Sequence, residues 1–358
     1  RKKIKKIKKR KKSFDDFFSK KIINQFNFEL TKNQKEIIHQ INGDLRSEQK
    51  MFRLLQGDVG SGKTIVSLIT ASNVIRSNYQ VALMAPTEIL AKQHYKLAVK
   101  IFENTNVNIK FLTGKSDSKD KKIIKNNLKN GSINFIIGTH ALFQKDILFK
   151  NLGMIIIDEQ HKFGVKQRKL LSEKGGANCD ILVLSATPIP RSLMMTIYGD
   201  MDISIIKQKP KNRKEVITLS KPEDKIEEII LFIKKQINDG NQVFWVCPLI
   251  DESKKLDFSA AVKKYNFLSK RFSKKVGLIH GSLDNELKNK VLTDFLNKKI
   301  DILVSTTVIE VGIDFPNANV IVIENSNKFG LSQLHQLRGR VGRGYNQGTC
   351  ILLFKKNL

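Results

Sequence analysis

The segment Gly57–Thr64 reads GDVGSGKT and fits the pattern GxxxxGK[ST] at every fixed position. The apolar run FRLLQ precedes it and IVSLITASNVI follows it, so the sequence predicts a strand, a tight glycine-rich loop and a helix in succession. Glycines let backbone N–H groups converge on phosphate oxygens, and the N-terminus of the helix adds positive charge. A glycine-rich turn without a ligand is the alternative. The predicted phosphate-binding residues are Gly57, Asp58, Val59, Gly60, Ser61, Gly62, Lys63 and Thr64.

A second motif, MIIIDEQH, supplies acidic residues directly after a buried strand. The carboxyl ends of parallel strands meet at one edge of a sheet, so we expect Asp158 beside the phosphate loop. Mg²⁺ prefers a few carboxylates and retained waters, which fits Asp158 together with the hydroxyl of Thr64. Lys63 would reach the β- and γ-phosphates of a nucleotide, and Glu159 would polarise the attacking water as a general base. A solvated strand end is the alternative for the acidic pair.

Apolar runs recur in pairs, in the same order and at nearly the same spacing along the chain. YQVALMAPT resembles NQVFWVCPL, INFIIGT resembles IDILVST, and MIIIDE resembles VIVIEN. Continuous Val, Ile and Leu runs are typical of strands buried on both faces of a parallel sheet. The sequence therefore predicts an α/β protein with two copies of one fold. We place a basic arm at residues 1–25, a first domain at 26–207 and a second at 208–358, with the seam in the charged stretch KQKPKNRK.

The net charge of +30 predicts attraction to polyanions that weakens steeply with salt. Lysine, asparagine and isoleucine are all abundant, so part of this charge reflects a bias in composition. The start, RKKIKKIKKRKK, is either a nucleic-acid-binding arm or a solvated or helical linker to a preceding segment, and we favour the linker. It lacks the apolar region of a signal peptide and an initial methionine, which predicts a piece of a longer protein.

The cysteines Cys179, Cys247 and Cys350 lie far apart in apolar surroundings, and no CxxC pair occurs. This spacing predicts reduced core cysteines in a cytosolic protein. No apolar run approaches the roughly 18 residues that a membrane span needs. We therefore expect a cytoplasmic protein without a membrane partner.

The segment Leu331–Gly344 reads LSQLHQLRGRVGRG and carries Arg338, Arg340 and Arg343. In so basic a chain these arginines could form a nucleic-acid patch. The second copy of the fold lacks a phosphate loop, however, and phosphoryl transfer needs positive charge on the departing γ-phosphate. The sequence therefore also predicts that some of them are arginine fingers for a nucleotide held by the first copy.

In their order, the motifs resemble those of superfamily 2 helicases: GDVGSGKT, APTEILAKQH, GTHALFQ, DEQH, SAT, STTVIEVGID and QLHQLRGRVGR. The longer segments RLLQGDVGSGKT, MAPTEILAKQHY, IIDEQHKFGVKQR, SATPIPRSL and FGLSQLHQLRGRVGRG are similar to the RecG family of bacterial ATP-dependent DNA helicases. The resemblance runs from about Phe28 to Leu353. It implies two tandem RecA-like domains of the P-loop NTPase fold, with ATP and Mg²⁺ as cofactors.

The same resemblance implies a monomeric, DNA-stimulated ATPase of the bacterial nucleoid that moves on duplex DNA. Its partners would be duplex and branched DNA, with remodelling of stalled replication forks and Holliday junctions in recombination and repair. The family also carries an N-terminal wedge domain and a C-terminal helical hairpin that this sequence does not supply, so we expect little preference for forks. A nucleic-acid-binding protein without catalysis and an RNA helicase of the same superfamily are the alternatives.

The family's motifs imply further nucleotide contacts outside the phosphate loop. Gln34 is a candidate adenine contact, with an exposed helix glutamine as the alternative. Gly312 and Asp314 match a loop that contacts the nucleotide. Arg340 and Arg343 match the two finger positions.

Other motif positions imply DNA binding and coupling. The residues that match segments binding the DNA backbone are Pro86, Thr87, Gly138, Thr139 and His140. Ordinary strand-to-helix turns are the alternative for them. The residues that match elements coupling hydrolysis to domain movement are Gln160, His161, Ser185, Ala186, Thr187 and Gln336. Arg338 lies between two fixed positions of the pattern QxxGRxxR, Gln336 and Gly339, and is either structural or DNA-facing.

Overall fold

The computed structural model describes residues 7–58, 60–158, 174, 176–186, 201–208, 214–248, 254–272, 275–281, 283–306, 315–342 and 346–355. The chain divides into two compact units, Arg1–Pro210 and Lys211–Leu358. The division falls inside the KQKPKNRK stretch, where the sequence places the seam.

In the first unit, the described residues form a seven-stranded sheet flanked by helices. The helices are α1 (Phe17–Ile23), α2 (Lys32–Arg46), α3 (Lys63–Arg76), α4 (Glu88–Ile101) and α5 (Ser118–Asn130). The strands are β1 (Phe52–Gly57), β2 (Gln80–Met84), β3 (Ile109–Leu112), β4 (Phe135–Gly138), β5 (Leu152–Asp158), β6 (Asp180–Ser185) and β7 (Asp202–Ile206). The strand order is β3-β4-β2-β5-β6-β1-β7, and the named pairs are parallel.

The central strands β2, β4, β5 and β6 are buried along their whole length, which explains why their sequences are apolar without alternation. Along β5, Ile156 packs in one core cluster with residues of α3, and the neighbouring Ile155 packs in a second cluster with residues of α5. Because side chains alternate between faces along a strand, the helices must cover the sheet from both sides.

The parallel arrangement brings the ends of β1 and β5 to the same edge of the sheet. Both strands pair with β6, in registers that set Gln56 opposite Ser185 and Asp158 opposite Leu184. Gly57 and Asp158 therefore end at one edge with a single strand between them. This edge is where a doubly wound sheet binds its ligand.

Among its described residues, the second unit repeats this architecture with a six-stranded sheet. Its helices are α6 (Ile226–Asn238), α7 (Lys254–Arg271), α8 (Asn285–Leu296) and α9 (Leu331–Arg338). Its strands are β8 (Ile217–Pro222), β9 (Gln242–Val246), β10 (Val276–Ile279), β11 (Ile302–Ser305), β12 (Ala318–Ile323) and β13 (Thr349–Phe354). They form a six-stranded parallel sheet in the order β10-β11-β9-β12-β13-β8.

The strand orders confirm the prediction of two copies of one α/β fold. The matched sequence runs lie in β2 and β9, in β4 and β11, and in β5 and β12. These strands are neighbours in the same order in the two sheets, as β4-β2-β5 and β11-β9-β12. The internal resemblance of the sequence therefore reflects equivalent positions in the two sheets.

The described part of the basic arm includes the helix α1, but it is not the solvated linker that its charge predicts. Lys9 Nζ lies 2.9 and 2.7 Å from the two carboxylate oxygens of Asp180, and Lys12 Nζ lies 2.6 Å from Oδ2 of the same residue. All three side chains are fully buried. Ile22, in α1, packs in the core of the first unit. The arm docks because Asp180 compensates two buried ammonium groups, so these two lysines are not available to nucleic acid.

In the described residues, no helix combines the length and apolar character needed to cross a membrane.

Burial raises the pKa of each thiol, to about 12 for Cys179 and about 11 for Cys350. For Cys247 the neighbouring Glu324 carboxylate adds to the effect of burial on the thiol pKa. All three cysteines are free and buried, which confirms the prediction of reduced core cysteines.

We expect these thiols to resist modification in the folded protein, because the reactive thiolate is scarce far below the thiol pKa. A disulfide exchange reagent such as DTNB at pH 8 should label almost no cysteine in the native chain and all three after unfolding in guanidinium chloride. Rapid labelling of a native thiol at this pH would contradict their burial.

Candidate nucleotide-binding site

The phosphate loop connects the end of β1 to the start of α3, as the sequence predicts. Gly60 and Gly62 have φ angles of 78° and 90°, in the region where only glycine is unstrained. A Cβ on Gly62 would lie 2.4 Å from Nε2 of Gln34, and one on Gly57 would lie 2.6 Å from Oγ of Ser61. The spacing of the glycines therefore follows from loop geometry and close packing.

The loop presents hydrogen-bond donors that suit an anion. The Lys63 side chain is buried over the loop, where Nζ donates to the carbonyl oxygens of Gly57 at 2.6 Å and of Asp58 at 3.1 Å. Ser61 Oγ is a buried hydroxyl that has no hydrogen-bond partner among the described residues. The N-terminus of α3 adds the backbone N–H groups of its first turn and the positive end of the helix dipole. This set of donors fits the phosphates of a nucleotide.

Gln34 braces the phosphate loop from helix α2. Its side chain is buried, with Nε2 donating to the carbonyl oxygen of Ser61 at 2.8 Å and Oε1 accepting from the Thr31 N–H at 2.9 Å. Thr31 Oγ1 in turn accepts from the Gln34 N–H, which completes a capping box at the start of α2. The alternative of an exposed helix glutamine is therefore wrong. The adenine contact stays a prediction.

Asp158 ends β5 as a buried carboxylate, and its contact is a histidine that the sequence does not single out. Nε2 of His94 lies 2.7 Å from Oδ2 of Asp158, and both side chains are less than a tenth exposed. His94 lies on α4, which follows β2, and β2 pairs with β5 in a register that sets Met84 opposite Ile157. His94 is the last residue of the motif APTEILAKQH, so the sequence did mark this segment as functional. Only the pairing of β2 with β5 shows that α4 reaches Asp158.

The residues expected to bind DNA lie in neighbouring turns at the same edge of the first sheet. Thr87 caps α4 by accepting from the Leu90 N–H at 3.3 Å, directly after Pro86. The Ala85 N–H donates to the carbonyl oxygen of Gly138, which joins the end of β2 to the end of β4.

A Cβ on Gly138 would lie 1.9 Å from the carbonyl oxygen of Leu112, so only glycine fits there. The buried Thr139 and the exposed His140 follow it. Packing and local hydrogen bonds are sufficient to account for these residues as ordinary strand-to-helix turns. DNA binding by the turns stays a prediction.

The coupling residues that can be placed are Ser185, Ala186 and Gln336. Ser185 is the last residue of β6, Ala186 follows it, and Gln336 lies on α9 in the second unit. The predicted residues that lie outside the described residues are Val59, Glu159, Gln160, His161, Thr187, Gly312, Asp314 and Arg343.

The arginines of the second unit differ in their surroundings. Arg338, at the end of α9, donates from Nη2 to the carbonyl oxygen of Val216 at 3.1 Å, directly before β8. Of the two alternatives for Arg338, the structure therefore supports the structural one. Arg340 follows the helix and has a fully buried side chain.

Comparison with known proteins shows which family the chain resembles. A DEAD/DEAH box helicase model matches residues 31–196, and a helicase conserved C-terminal domain model matches residues 221–345. The ATP-dependent DNA helicase RecG of Thermotoga maritima is 49% identical over 96% of this chain and 44% of its own length. The RecG of Aquifex aeolicus is 51% identical over 98% of this chain and 44% of its own length.

A solved structure of RecG bound to a three-way DNA junction superimposes with a TM-score of 0.86 at 44% identity, over 98% of this chain and 46% of that one. The Mycobacterium smegmatis helicase Lhr, bound to single-stranded DNA and AMP-PNP, shares the fold alone: the TM-score is 0.67 at 16% identity, over 96% of this chain and 48% of that one.

The two family models and the two parallel sheets place the chain in the DEAD/DEAH box helicase class, with tandem RecA-like domains. This confirms the fold class implied by the motifs. Within that class the chain belongs to the RecG family, whose members it matches over nearly all of its residues. It spans a little under half the length of the relatives named above.

Proposed function

We propose that this chain is the motor of an ATP-dependent DNA helicase of RecG type, which couples ATP hydrolysis to movement on duplex DNA. The observation that carries the proposal is the first-unit site. It combines a phosphate loop holding the buried Lys63 with a buried carboxylate, Asp158, one strand away at the same edge of the sheet. Both are required of an enzyme that binds and cleaves a nucleoside triphosphate.

In this proposal ATP binds at the phosphate loop, and Lys63 contacts its β- and γ-phosphates. Thr64, at the start of α3, and Asp158 hold Mg²⁺, whose charge, when bound, offsets that of the phosphates. Among the described residues no three His, Cys, Asp or Glu side chains cluster as a metal site. One carboxylate and one hydroxyl agree with the preference of Mg²⁺ for few protein ligands. Glu159 accepts the proton of the attacking water.

The remaining family roles are proposed for the residues that match them. Gln34 contacts the adenine in addition to bracing the loop, and Gly312 and Asp314 contact the nucleotide. Arg340 and Arg343 supply positive charge to the γ-phosphate during its transfer. The residues proposed to couple hydrolysis to movement are Gln160, His161, Ser185, Ala186, Thr187 and Gln336.

DNA is the nucleic acid along which the protein is proposed to move. Pro86, Thr87 and the turn from Gly138 to His140 are the proposed contacts. The net charge of +30 supports binding to a polyanion. The related RecG structure is bound to a three-way DNA junction, which supports branched DNA as a substrate. We therefore propose remodelling of stalled forks and Holliday junctions as the role of the whole protein, at the bacterial nucleoid and as a monomer.

ATP hydrolysis by this chain tests the proposal, measured without nucleic acid and with plain duplex DNA, a three-way junction or RNA. We expect ATP hydrolysis to require Mg²⁺. We also expect plain duplex DNA and the three-way junction each to stimulate it more than RNA does. Added salt should weaken the stimulation, because the DNA contacts are largely to phosphates. Absence of turnover with every nucleic acid, in folded protein, would favour a binding protein without catalysis. Stronger stimulation by RNA would favour an RNA helicase.

A further inference from the structure

The buried contact between His94 and Asp158 has a direction that the chemistry of the two groups fixes. A carboxylate only accepts hydrogen bonds, so Nε2 of His94 is the donor across the 2.7 Å to Oδ2 of Asp158. The pair is almost fully buried, where a hydrogen bond to a charged acceptor is stronger than in water. It therefore restrains the side chain of Asp158 more than an exposed contact would.

This restraint acts on the group that the proposed site needs for Mg²⁺. The bond engages Oδ2 and limits rotation about the Cβ–Cγ bond of Asp158, which also fixes the direction of Oδ1. His94 is itself held by α4, a helix that begins at the Thr87 cap and packs against β4. The carboxylate is thus oriented by a rigid element of the first unit.

The second unit carries an acid and a base in the equivalent places, but with different chemistry. Glu324 directly follows β12, the counterpart of β5, and Lys264 lies on α7, which follows β9, the counterpart of β2. Lys264 Nζ is 2.6 Å from Oε1 of Glu324. A lysine neutralises its acid with a full positive charge, whereas an imidazole can donate the same hydrogen bond without one.

We propose that His94 is a positioning residue for Asp158, orienting its carboxylate toward Mg²⁺ through the buried 2.7 Å hydrogen bond. This inference rests on the proposed function of the first-unit site. Partners that orient metal ligands typically change metal affinity by about 10- to 100-fold when they are removed. We expect His94 to have an effect of this size on the Mg²⁺ dependence of nucleotide binding.

Three substitutions in the full chain separate the hydrogen bond, the charge and the volume. His94→Gln retains an N–H donor at nearly the same reach from the backbone. His94→Leu fills similar space without a donor. His94→Lys introduces the pairing found in the second unit. His39→Gln, at an exposed histidine of α2, is the control.

Binding of the fluorescent nucleotide mant-ADP is measured first in EDTA and then during a Mg²⁺ titration, with ATP turnover followed over the same titration. We expect every variant to bind mant-ADP in EDTA like the parent chain. The Mg²⁺ concentration that gives half of the maximal change in mant-ADP binding and in ATP turnover should rise by about 10- to 100-fold in His94→Leu and His94→Lys. In His94→Gln it should rise much less. His39→Gln should match the parent chain.

Several results would overturn the inference. An unchanged Mg²⁺ dependence in His94→Leu would show that the histidine does not act on the metal. An equal loss of Mg²⁺ affinity in His94→Gln and His94→Leu would show that packing of the imidazole ring, and not its hydrogen bond, determines the Mg²⁺ dependence. Weaker binding in EDTA as well as in Mg²⁺ would indicate a collapsed site. Failure of the proposed function is distinct from all of these, because then the parent chain itself neither binds mant-ADP nor hydrolyses ATP.

Discussion

Replacement of Lys63 by alanine is expected to abolish ATP turnover while the chain stays folded. The Lys63 amine lies over the phosphate loop, 2.6 Å from the carbonyl oxygen of Gly57, where it can follow the charge that develops on the transferred phosphate. Loss of a single group that stabilises developing charge typically lowers kcat by about 10²- to 10³-fold. Lys63 also contributes to nucleotide binding, so we expect a loss at least at the upper end of this range.

Steady-state ATP hydrolysis at saturating DNA measures this effect, alongside mant-ADP binding and circular dichroism. Lys122→Ala is the matched control, because Lys122 is an exposed lysine of α5, away from the loop. The control should hydrolyse ATP like the parent chain. Turnover by a folded Lys63→Ala chain at the parent rate would refute the assignment of the phosphate loop.

Replacement of Asp180 by alanine is expected to destabilise the first unit by about 3–5 kcal/mol, the usual cost of removing one partner of a buried ion pair. Asp180 accepts from Lys9, from Lys12 and from the Met51 N–H at 2.7 Å. Its loss would leave two buried ammonium groups without their counter-charge. Asp146→Ala is the control, because the Asp146–Lys125 ion pair is largely exposed and contributes little.

The two units can be observed separately during unfolding by urea. Trp245 is the sole tryptophan of the chain and is buried in the second unit, so its fluorescence reports that unit. Far-UV circular dichroism reports both units. We expect Asp180→Ala to shift a circular dichroism transition to lower urea while the tryptophan transition stays in place. Unchanged midpoints for both probes would contradict a stabilising role for Asp180.

The sequence predicted those features that local chemistry determines. The phosphate loop depends on backbone angles that only glycine adopts without strain, as at Gly60 and Gly62, so its motif identifies it without knowledge of the rest. The central strands of both sheets could be predicted because burial on two faces requires continuous apolar runs, whereas the more exposed strands β3, β7 and β8 were not predicted. Their shared order followed from the repeat.

Contacts between distant segments could not be predicted in the same way. His94 is far from Asp158 in sequence, and nothing in α4 indicates which strand end it faces. The same holds for Lys12 and Asp180, because a run of lysines ordinarily indicates a solvated surface. For Gln34, one contact could be predicted from the sequence and the other could not. Its place in a capping box could be predicted from the spacing to Thr31, but its bond to Ser61 depends on how α2 packs.

Because the Gln34 amide makes two hydrogen bonds, one within α2 and one to the phosphate loop, the loop sequence alone would not fold in the same way in another protein. One amide group both completes the first turn of α2 and supports the carbonyl of Ser61. Transplanting GDVGSGKT alone into another sheet would omit this support and leave space beside Gly62. A transplant that keeps this support would also need the segment from Thr31 to Gln34, although the rest of α2 and most of β1 separate the two pieces in the chain.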